Sequence, residues 1–291
     1  MTPAGPGDLQ AAIQTAAAGF SGQVGVYARR LPDGETVAVA ADEPFETASA
    51  IKPLIMVAAM RRVLEGRDDL DADVACRPEH FVLGSGILRE LSGGLTLRLW
   101  DVLVLMIAFS DNIATNMVID RVGGVPAVNA EAERQGMART RLLARLDFES
   151  GVNADGFGVS TPREMGEFYA RLHAGACLTP EADGQMRAIL LRQQYNLAIT
   201  RYLPYDLLAP PHVRGVEPPL RIASKSGSWA GCRIDCGLVY GPGGDYVLGL
   251  WSKGCADPRF HEDNEALLVL PRISRVLWDR WGAQAPAADR A

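Results

Sequence analysis

The sequence predicts an α+β fold of three layers, α/β/α, around an antiparallel sheet of about five strands drawn from both chain ends. Two observations support this class: β-rich segments lie towards both termini, and a long stretch between them has helical periodicity. Each element must bury its apolar face, so the simplest arrangement inserts an all-helical lobe between two parts of one sheet. The predicted sheet lobe comprises residues 1–45 and 215–291, and the helical lobe comprises 46–214, within one continuous structural unit.

The N-terminal part of the chain predicts a helix followed by a β-hairpin. Apolar residues recur on one helical face over residues 8–19. The segments Gln23–Arg30 and Thr36–Ala41 are rich in β-forming residues, and Leu31-Pro-Asp-Gly34 between them is a strong turn signal. These two strands form the first part of the predicted sheet.

The rest of the sheet is predicted close to the C-terminus. Helical patterns dominate residues 49–191, with interruptions at glycines. Strands are then predicted at Leu220–Ser226, Ile234–Tyr240 and Tyr246–Ser252, and a last helix at 261–281. A binding site is expected in the cleft between the sheet and the helical lobe, because ligand sites form where such layers meet.

The charge and hydropathy of the chain exclude two classes of partner. The chain has 29 Lys and Arg residues against 35 Asp and Glu, a net charge of −6 at pH 7. A nucleic-acid binder needs a concentrated basic face, and the sequence has no Lys/Arg-rich stretch. The longest apolar run, Val102–Phe109, is far shorter than the ~20 residues of a membrane-spanning helix. We therefore expect neither nucleic-acid binding nor a membrane span.

The N-terminus bears on the compartment. Residues 1–8 contain no basic side chain, and Asp8 precedes the first apolar stretch, so the segment does not have the pattern of a signal peptide. We expect a cytoplasmic protein if this N-terminus is the native one, and a periplasmic or secreted protein if a leader has been removed.

The first candidate site is Ser49-Ala-Ile-Lys52, at the start of a predicted helix. Three residues are close to one helical turn, so the side chains of Ser49 and Lys52 share a face. A serine hydroxyl needs a base to become a nucleophile, and a lysine becomes a base when burial and nearby positive charge lower its pKa. Backbone N–H groups at a helix start also stabilise negative charge. The motif alone is a weak signal, because this spacing is common by chance.

Two further motifs follow in order along the chain. Ser110-Asp111-Asn112 ends an apolar helix, and Lys225-Ser226-Gly227 lies on a predicted strand with its first and third residues on one face. A glycine on a strand face permits the close approach of a ligand. Each motif alone also has a structural interpretation: a capped helix junction for the first, and a strand that ends in a turn for the second.

Together the three motifs resemble the S-x-x-K, S-D-N and K-[ST]-G set of serine β-lactamases and penicillin-binding proteins, most closely class A. Ser110 follows Ser49 by 61 residues, and Lys225 follows Ser110 by 115. The first separation is similar to that of class A, and the second is longer. The resemblance covers residues 8–281. It implies a bacterial protein with the β-lactamase and transpeptidase fold that requires no metal and no cofactor.

The resemblance also implies roles. Ser49 would be the nucleophile that becomes acylated, Lys52 would accept or relay its proton, and Ser110 would pass a proton to the leaving nitrogen. The implied substrate-binding residues of the second and third motifs are Asn112, Lys225, Ser226, Gly227 and Ser228.

Each of these substrate-binding residues has an implied contact. Asn112 would bond to a side-chain amide of the substrate, and Lys225 and Ser226 would hold its carboxylate. The oxyanion would lie between the N–H groups of Ser49 and Ser228. Positive side chains used locally in an acidic chain fit a small anionic substrate, a β-lactam or a related amide, and we expect a monomer.

A loop after the second motif bears on deacylation. Class A enzymes share an E-x-x-L-N sequence, in which the Glu activates the water that removes the acyl group. Here Glu149-Ser-Gly-Val-Asn153 reads E-x-x-V-N and begins 39 residues after Ser110. A carboxylate can take a proton from water while an amide holds that water in place. Asp147 is an alternative base, and a solvated loop carboxylate is the structural interpretation of Glu149.

An arginine is expected to bind the substrate carboxylate. Arg233 lies near the position at which class A enzymes have an arginine. When this sequence is matched to the class A pattern, however, Cys236 lies closer to that position than Arg233 does. Arg221 and Arg201 are alternatives, and a surface or structural role is open for all three.

These observations predict a serine hydrolase that opens a β-lactam amide through an acyl-serine intermediate. A D,D-peptidase, an esterase or an amide hydrolase of the same fold is one alternative. A binding protein that is acylated once, as a sensor or a sequestering protein, is the other.

Overall fold

The computed structural model describes residues 6–153, 156–206 and 218–283. The strands of its central sheet are β1 Gln23–Arg30, β2 Thr36–Val39, β8 Arg221–Trp229, β9 Cys232–Tyr240 and β10 Tyr246–Lys253. Their order in space is β2-β1-β10-β9-β8. β1 pairs antiparallel with β10 over its whole length, from Gln23 opposite Lys253 to Arg30 opposite Tyr246. Both chain ends therefore contribute to one antiparallel sheet of five strands, and the predicted α+β class is confirmed.

Helices cover both faces of this sheet. The helices α1 Pro6–Ala16 and α8 Glu265–Leu277 pack on one face, and α6 Pro162–His173 packs on the other. α6 lies so close to β1 that a Cβ atom on Gly166 would be only 2.3 Å from the ring of Tyr27. Three layers result, with an apolar cluster on each side of the sheet.

The segment between β2 and β8 carries the remaining helices. They are α2 Lys52–Leu64, α3 Leu99–Ala108, α4 Asn112–Val122, α5 Val125–Arg134 and α7 Pro180–Leu190. α2 is the central helix, since every residue from Lys52 to Met60 is buried. The helices α3, α4 and α5 pack around it. The turn that leads into α2 lies against the edge strand β8, so the first turn of α2 is close to this edge of the sheet.

The inserted segment also contains short strands that the sequence did not predict. They are β3 Phe45–Glu46, β4 Asp73–Ala75, β5 Thr96–Arg98, β6 Arg141–Leu142 and β7 Gly158–Ser160. β4 pairs with β5, and β7 lies between β3 and β6. Strands of two or three residues have too few alternations to give a period-2 signal. The predicted boundary between 214 and 215 lies outside the described residues.

The described helices are also informative about membranes. None of them is both long enough and apolar enough to cross a bilayer.

Candidate active site

A cavity of about 700 Å³ lies between the edge strand β8 and the first turns of α2 and α4. Seven of the residues predicted from the sequence line this cavity: Ser49, Ser110, Asn112, Ser226, Gly227, Ser228 and Arg233. Lys52 and Lys225 are buried behind its wall, Asn153 is buried in the neighbouring loop, and Glu149 is exposed. Three motifs that are far apart in sequence therefore meet at one cleft.

Ser49 lies in a tight turn that runs directly into α2. A 3₁₀ turn spans Ala48–Ile51, and Ala48 has a left-handed backbone with φ of 42°. β8 passes against this turn at Gly227, where a Cβ atom would be 2.6 Å from the carbonyl oxygen of Thr47 and 3.1 Å from the Ser49 nitrogen. Only glycine permits this approach. The hydroxyl of Ser49 and its own N–H group are thus placed beside the edge strand.

Lys52, the first residue of α2, connects this helix to the second motif. Its Nζ donates to the Ser110 carbonyl oxygen at 2.7 Å, to Asn112 Oδ1 at 3.0 Å and to Ser110 Oγ at 3.2 Å. Burial holds the pKa of Lys52 well below its usual range, the charge of Lys225 lowers it further, and Asp111 opposes both effects. A buried amine with a depressed pKa can accept a proton from a neighbouring hydroxyl.

The second motif is held rigidly at the junction between α3 and α4. Asp111 caps α4 through Oδ1, and its Oδ2 accepts the N–H groups of Ile87 at 2.7 Å and of the next residue. Ser110 has a left-handed backbone with φ of 51°. Asn112 donates from Nδ2 to the Leu83 carbonyl oxygen at 3.0 Å. The two interpretations of this motif therefore both hold. Asp111 caps the helix, while Ser110 and Asn112 line the cavity.

Lys225 is further from the cavity than the sequence suggested. Its side chain is fully buried, and Nζ donates to the Ser226 carbonyl oxygen at 2.7 Å. Burial lowers the pKa of Lys225 to about 7, and the negative charge of Asp235 on β9 partly offsets this. Burial raises the pKa of Asp235 to about 6. Ser226, and not Lys225, lines the cavity. The charge of Lys225 can therefore act on the cavity only from behind its wall.

The loop that includes residues 143–153 and 156–157 leaves Glu149 outside the described lining of the cavity. Leu146, Phe148 and Phe157 line the cavity, whereas Glu149 is exposed and is not among the described lining residues. Neighbouring side chains on a turn point in different directions, so an inward Phe148 leaves Glu149 facing outward. The role of Glu149 as a base stays a prediction.

Asn153 and Asp147 give this loop its shape. Asn153 accepts from the Asp147 N–H at 2.7 Å and donates to the Arg145 carbonyl oxygen at 3.1 Å. The Asp147 carboxylate accepts the Ser150 N–H at 3.1 Å, and these contacts with Ser150 hold the pKa of Asp147 below its usual range. Both side chains are therefore occupied by the loop backbone. A carboxylate in that state is a poor general base at neutral pH.

Arg233 lines the cavity, but its guanidinium already has partners. It donates to three backbone carbonyl oxygens at 2.5 to 2.8 Å, those of Trp229, Cys232 and Arg259. The ring of Phe260 lies 4.7 Å from the guanidinium carbon. The alternatives Arg201 and Arg221 are not among the described residues that line the cavity. Contact of Arg233 with a substrate carboxylate stays a prediction.

Sequence reasoning missed the apolar end of the cavity. Its lining residues there are Leu197, Ala198, Ile234, Phe260 and Leu267. They come from three segments that are far apart in the chain, and none of them forms a motif. Phe260, whose side chain is 69% exposed, lies among charged residues in the sequence, which gives no indication that it lines a cavity.

Comparisons with known proteins agree with this architecture. The sequence pattern of the beta-lactamase enzyme family matches residues 8–281. The carbapenem-hydrolyzing beta-lactamase KPC of Klebsiella oxytoca is 27% identical over 240 residues, which cover 81% of this chain and 74% of that protein. A beta-lactamase of Streptomyces lavendulae is 27% identical over 257 residues, covering 82% of this chain and 76% of that one.

Solved structures are similar over almost the whole chain. A beta-lactamase from Sphaerobacter thermophilus has a TM-score of 0.81 and 29% identity, covering 94% of this chain and 95% of that one. PBP-A has a TM-score of 0.79 and 27% identity with the same coverage. A mutant of PBP-A, solved as an acyl-enzyme complex with penicillin G, has a TM-score of 0.78 and 26% identity, covering 94% and 96%. The chain therefore belongs to the beta-lactamase enzyme family.

Proposed function

We propose that the protein is a serine hydrolase that opens the amide bond of β-lactams through an acyl intermediate on Ser49. The observation that carries this proposal is the position of Ser49: it lines the cavity, one turn before a buried lysine with a depressed pKa. Relatives named as beta-lactamases support the substrate class. That the protein is a monomer stays a prediction.

Acylation follows from the contacts around Lys52. The Ser49 oxygen attacks the amide carbon, and its proton passes to the neutral Lys52 amine. The oxyanion that forms accepts hydrogen bonds from the Ser49 and Ser228 N–H groups. The bond between carbon and nitrogen then breaks, and Ser110 Oγ gives its proton to the leaving nitrogen while it takes the proton held by Lys52 Nζ, 3.2 Å away; Lys52 is then neutral again. The ester on Ser49 is the product of this step.

The substrate carboxylate would lie against β8. Ser226 offers a hydroxyl in the cavity wall, and Lys225 behind it supplies positive charge. Asn112 faces the same cavity and would contact a substrate amide. The ring of Phe260 covers the guanidinium of Arg233. We therefore propose that Arg233 attracts the substrate carboxylate from further away than Ser226 and Lys225 do.

Deacylation by water would complete hydrolysis. By resemblance Glu149 is the base for that water and Asn153 holds it in place, and a rapid reaction requires Glu149 to come within hydrogen-bond reach of it.

A long-lived acyl-enzyme is the second candidate. The outward position of Glu149 favours it, because water would then attack the ester without a nearby carboxylate. The mutant of PBP-A captured with penicillin G is a related protein whose acyl-enzyme was stable enough for structure determination. In this form the protein would bind β-lactams covalently and release them slowly.

One experiment separates these candidates. A chromogenic cephalosporin is mixed with the protein, and ring opening and the intact mass of the protein are followed together. A burst with one equivalent of product followed by many turnovers supports the hydrolase. A burst with a persistent mass adduct supports the second candidate. Ser49→Ala must abolish the adduct, and an adduct that survives this change would refute the assignment of the nucleophile. Turnover of a D-alanyl peptide or an ester, with no reaction of the cephalosporin, would indicate a different hydrolase of this fold.

A further inference from the structure

Glu46 is an acidic residue behind the cavity wall that neither the motifs nor the proposed mechanism uses. It lies on β3, three residues before Ser49, and is half-buried. Its Oε2 accepts the N–H group of Ala48, and its Oε1 accepts the N–H group of Phe157 at 2.6 Å. One carboxylate thus joins the nucleophile turn to a residue 111 positions further along the chain.

Both partners of Glu46 are walls of the cavity. Ala48 and Phe157 are buried and line it. Ala48 is also one of three non-glycine residues with positive φ among the described residues. A left-handed alanine is strained by about 1 kcal/mol or more and persists only where its surroundings hold it. The bond from its N–H to Glu46 is one such contact, directly before the nucleophile.

The far side of Glu46 is shaped to receive the carboxylate. Gly156 has φ of 100°, and a Cβ atom on it would be 2.6 to 2.9 Å from the Cγ, Cδ and Oε1 atoms of Glu46. A side chain at residue 156 would therefore displace the carboxylate. The loop closes over Glu46 at this glycine, and the contact has no room for another arrangement.

We propose that Glu46 is a positioning residue that fixes the Ser49 turn and the end of the loop 143–157 in one arrangement. This inference rests on the proposed function, since its consequence is the rate at which Ser49 is acylated. Glu46 itself does not line the cavity, so it acts through the backbone of Ala48 and Phe157. Loss of either bond would let the nucleophile turn and the aromatic wall move independently.

The isosteric variant Glu46→Gln tests this role without a change of size. A carboxylate accepts two N–H groups, whereas a glutamine accepts one and turns an NH₂ group against the other donor. We expect acylation of Ser49 by the cephalosporin, followed by stopped-flow ring opening and intact mass, to fall about 10-fold or more. Gly156→Ala should give a similar loss from the opposite side of the contact. The double variant should lose little more than either single one, because both changes break the same contact.

Glu131→Gln is the matched control. Glu131 is a fully buried carboxylate of α5 that accepts from Arg61 and Gln135 and does not line the cavity. Its substitution should lower the melting temperature while the acylation rate stays within about 2-fold of wild type. A role of Glu46 in stability alone predicts the same behaviour for Glu46→Gln, and that result would overturn the proposal.

Amide hydrogen exchange keeps the inference separate from the proposed function. The N–H groups of Ala48 and Phe157 should be protected in the wild-type protein and should exchange at least about 10-fold faster in Glu46→Gln, measured on peptides covering 45–51 and 152–160. Exchange needs neither acylation nor a substrate. If wild type is not acylated but this protection is present, the proposed function fails and the positioning contact stands. Unprotected amides in wild type would overturn the inference whatever the enzyme does.

Discussion

The two segments that face the cavity from the helical side are held in different ways. At the junction between α3 and α4, each polar side chain bonds to another element. Lys52 comes from α2 to reach Ser110 and Asn112, and Asp111 accepts N–H groups from the preceding loop. Contacts of this kind are fixed when the helices pack, so the junction is as rigid as the core around it.

In the described parts of the loop, residues 143–153 and 156–157, the ends are anchored to other elements, and the polar contacts of the middle stay within the loop, although the ring of Phe148 packs on Trp229 of β8. Asn116 holds the Leu146 backbone with bonds of 3.0 and 2.9 Å, and Glu46 holds Phe157 at the other end. Between these anchors, Asp147 and its neighbours bond to the backbone of their own loop. Local contacts of this type open at a lower free-energy cost than core contacts.

This difference separates the two halves of the reaction. The groups assigned to acylation lie in the rigid junction and on the edge strand, whereas the group assigned to deacylation lies in the locally folded loop. Changes at the junction should therefore affect formation of the acyl-enzyme strongly. Changes in the middle of the loop should affect only the removal of the acyl group from Ser49.

Lys52→Met should have the largest effect. The substitution keeps a long apolar side chain but removes the amine, so the Ser49 proton has no acceptor, and acylation should slow by about 10³-fold. Stopped-flow ring opening with intact mass measures it. Lys253→Met is the matched control, because Lys253 is partly exposed and bonds to Glu43 at 3.2 Å on the surface; its acylation rate should equal that of wild type. A Lys52→Met variant that acylates at more than a tenth of the wild-type rate would assign the base elsewhere.

Gly227→Ala should have the next largest effect. The added Cβ would lie 2.6 Å from the Thr47 carbonyl oxygen and 2.9 Å from the Ala50 nitrogen. Backbone atoms cannot yield without moving β8 away from the Ser49 turn, so we expect acylation to fall about 100-fold as the oxyanion donors separate. Gly93→Ala is the control, because nothing lies within 4 Å of its Cβ position and its φ is not left-handed. Equal acylation rates for the two variants would contradict the close approach of strand and nucleophile.

The pH dependence of acylation should reflect the protonation states of both buried lysines, Lys52 and Lys225. Acylation needs a neutral Lys52, so the rate rises as pH passes its depressed pKa. It also needs a protonated Lys225, whose pKa is about 7, so kcat/KM for an anionic β-lactam should fall as pH rises through that value. In Lys225→Arg the guanidinium stays protonated, and the alkaline limb should move up by more than about one pH unit. A neutral substrate ester should lack this limb in wild type, and an unchanged limb in Lys225→Arg would exclude Lys225 as its origin.

Much of the fold could be predicted because its signals are local. The observed bounds of β1 equal the predicted ones, Gln23–Arg30, since alternation and the turn that follows lie within a few residues. Within the stretch 49–191, where helical patterns dominate, Thr96–Arg98 is a strand that pairs with β4, and α3 begins only at Leu99. Pairing with a partner more than 20 residues away leaves no mark within the segment itself.

The motif residues of the site could be predicted for a similar reason. Each motif joins two or more chemical groups within one turn of helix or strand, so their spacing is visible in the sequence. The chain has only three lysines, and two of them, Lys52 and Lys225, are the buried ones of this site. Lysine is the basic residue whose pKa burial can shift into the neutral range, whereas the exposed cationic surface uses arginine.

The contacts that tune the site could not be predicted. Glu46 meets Phe157, and Asp235 lies beside Lys225, only after segments far apart in sequence come together. Asp235 has a sequence signal, since it is an acidic residue inside a predicted apolar strand, whereas the short strand that carries Glu46 was not predicted. The inward position of Phe148 and the outward position of Glu149 depend on how the turn closes, which the E-x-x-V-N pattern does not encode.

Glu149→Gln should have the smallest effect, and it tests the comparison most directly. In the long-lived acyl-enzyme the carboxylate stays exposed and outside the described cavity wall, so for this candidate we expect the acylation rate to be unchanged and the deacylation rate to change by less than about 3-fold. Asn153→Ala, which removes the two bonds that hold the loop at 2.7 and 3.1 Å, should change deacylation more than Glu149→Gln does, with acylation again preserved. Intact-mass decay of the adduct measures both variants. An adduct that persists 100-fold longer in Glu149→Gln would show that the loop brings this carboxylate to the ester during turnover, which is expected of the hydrolase and would exclude the long-lived acyl-enzyme.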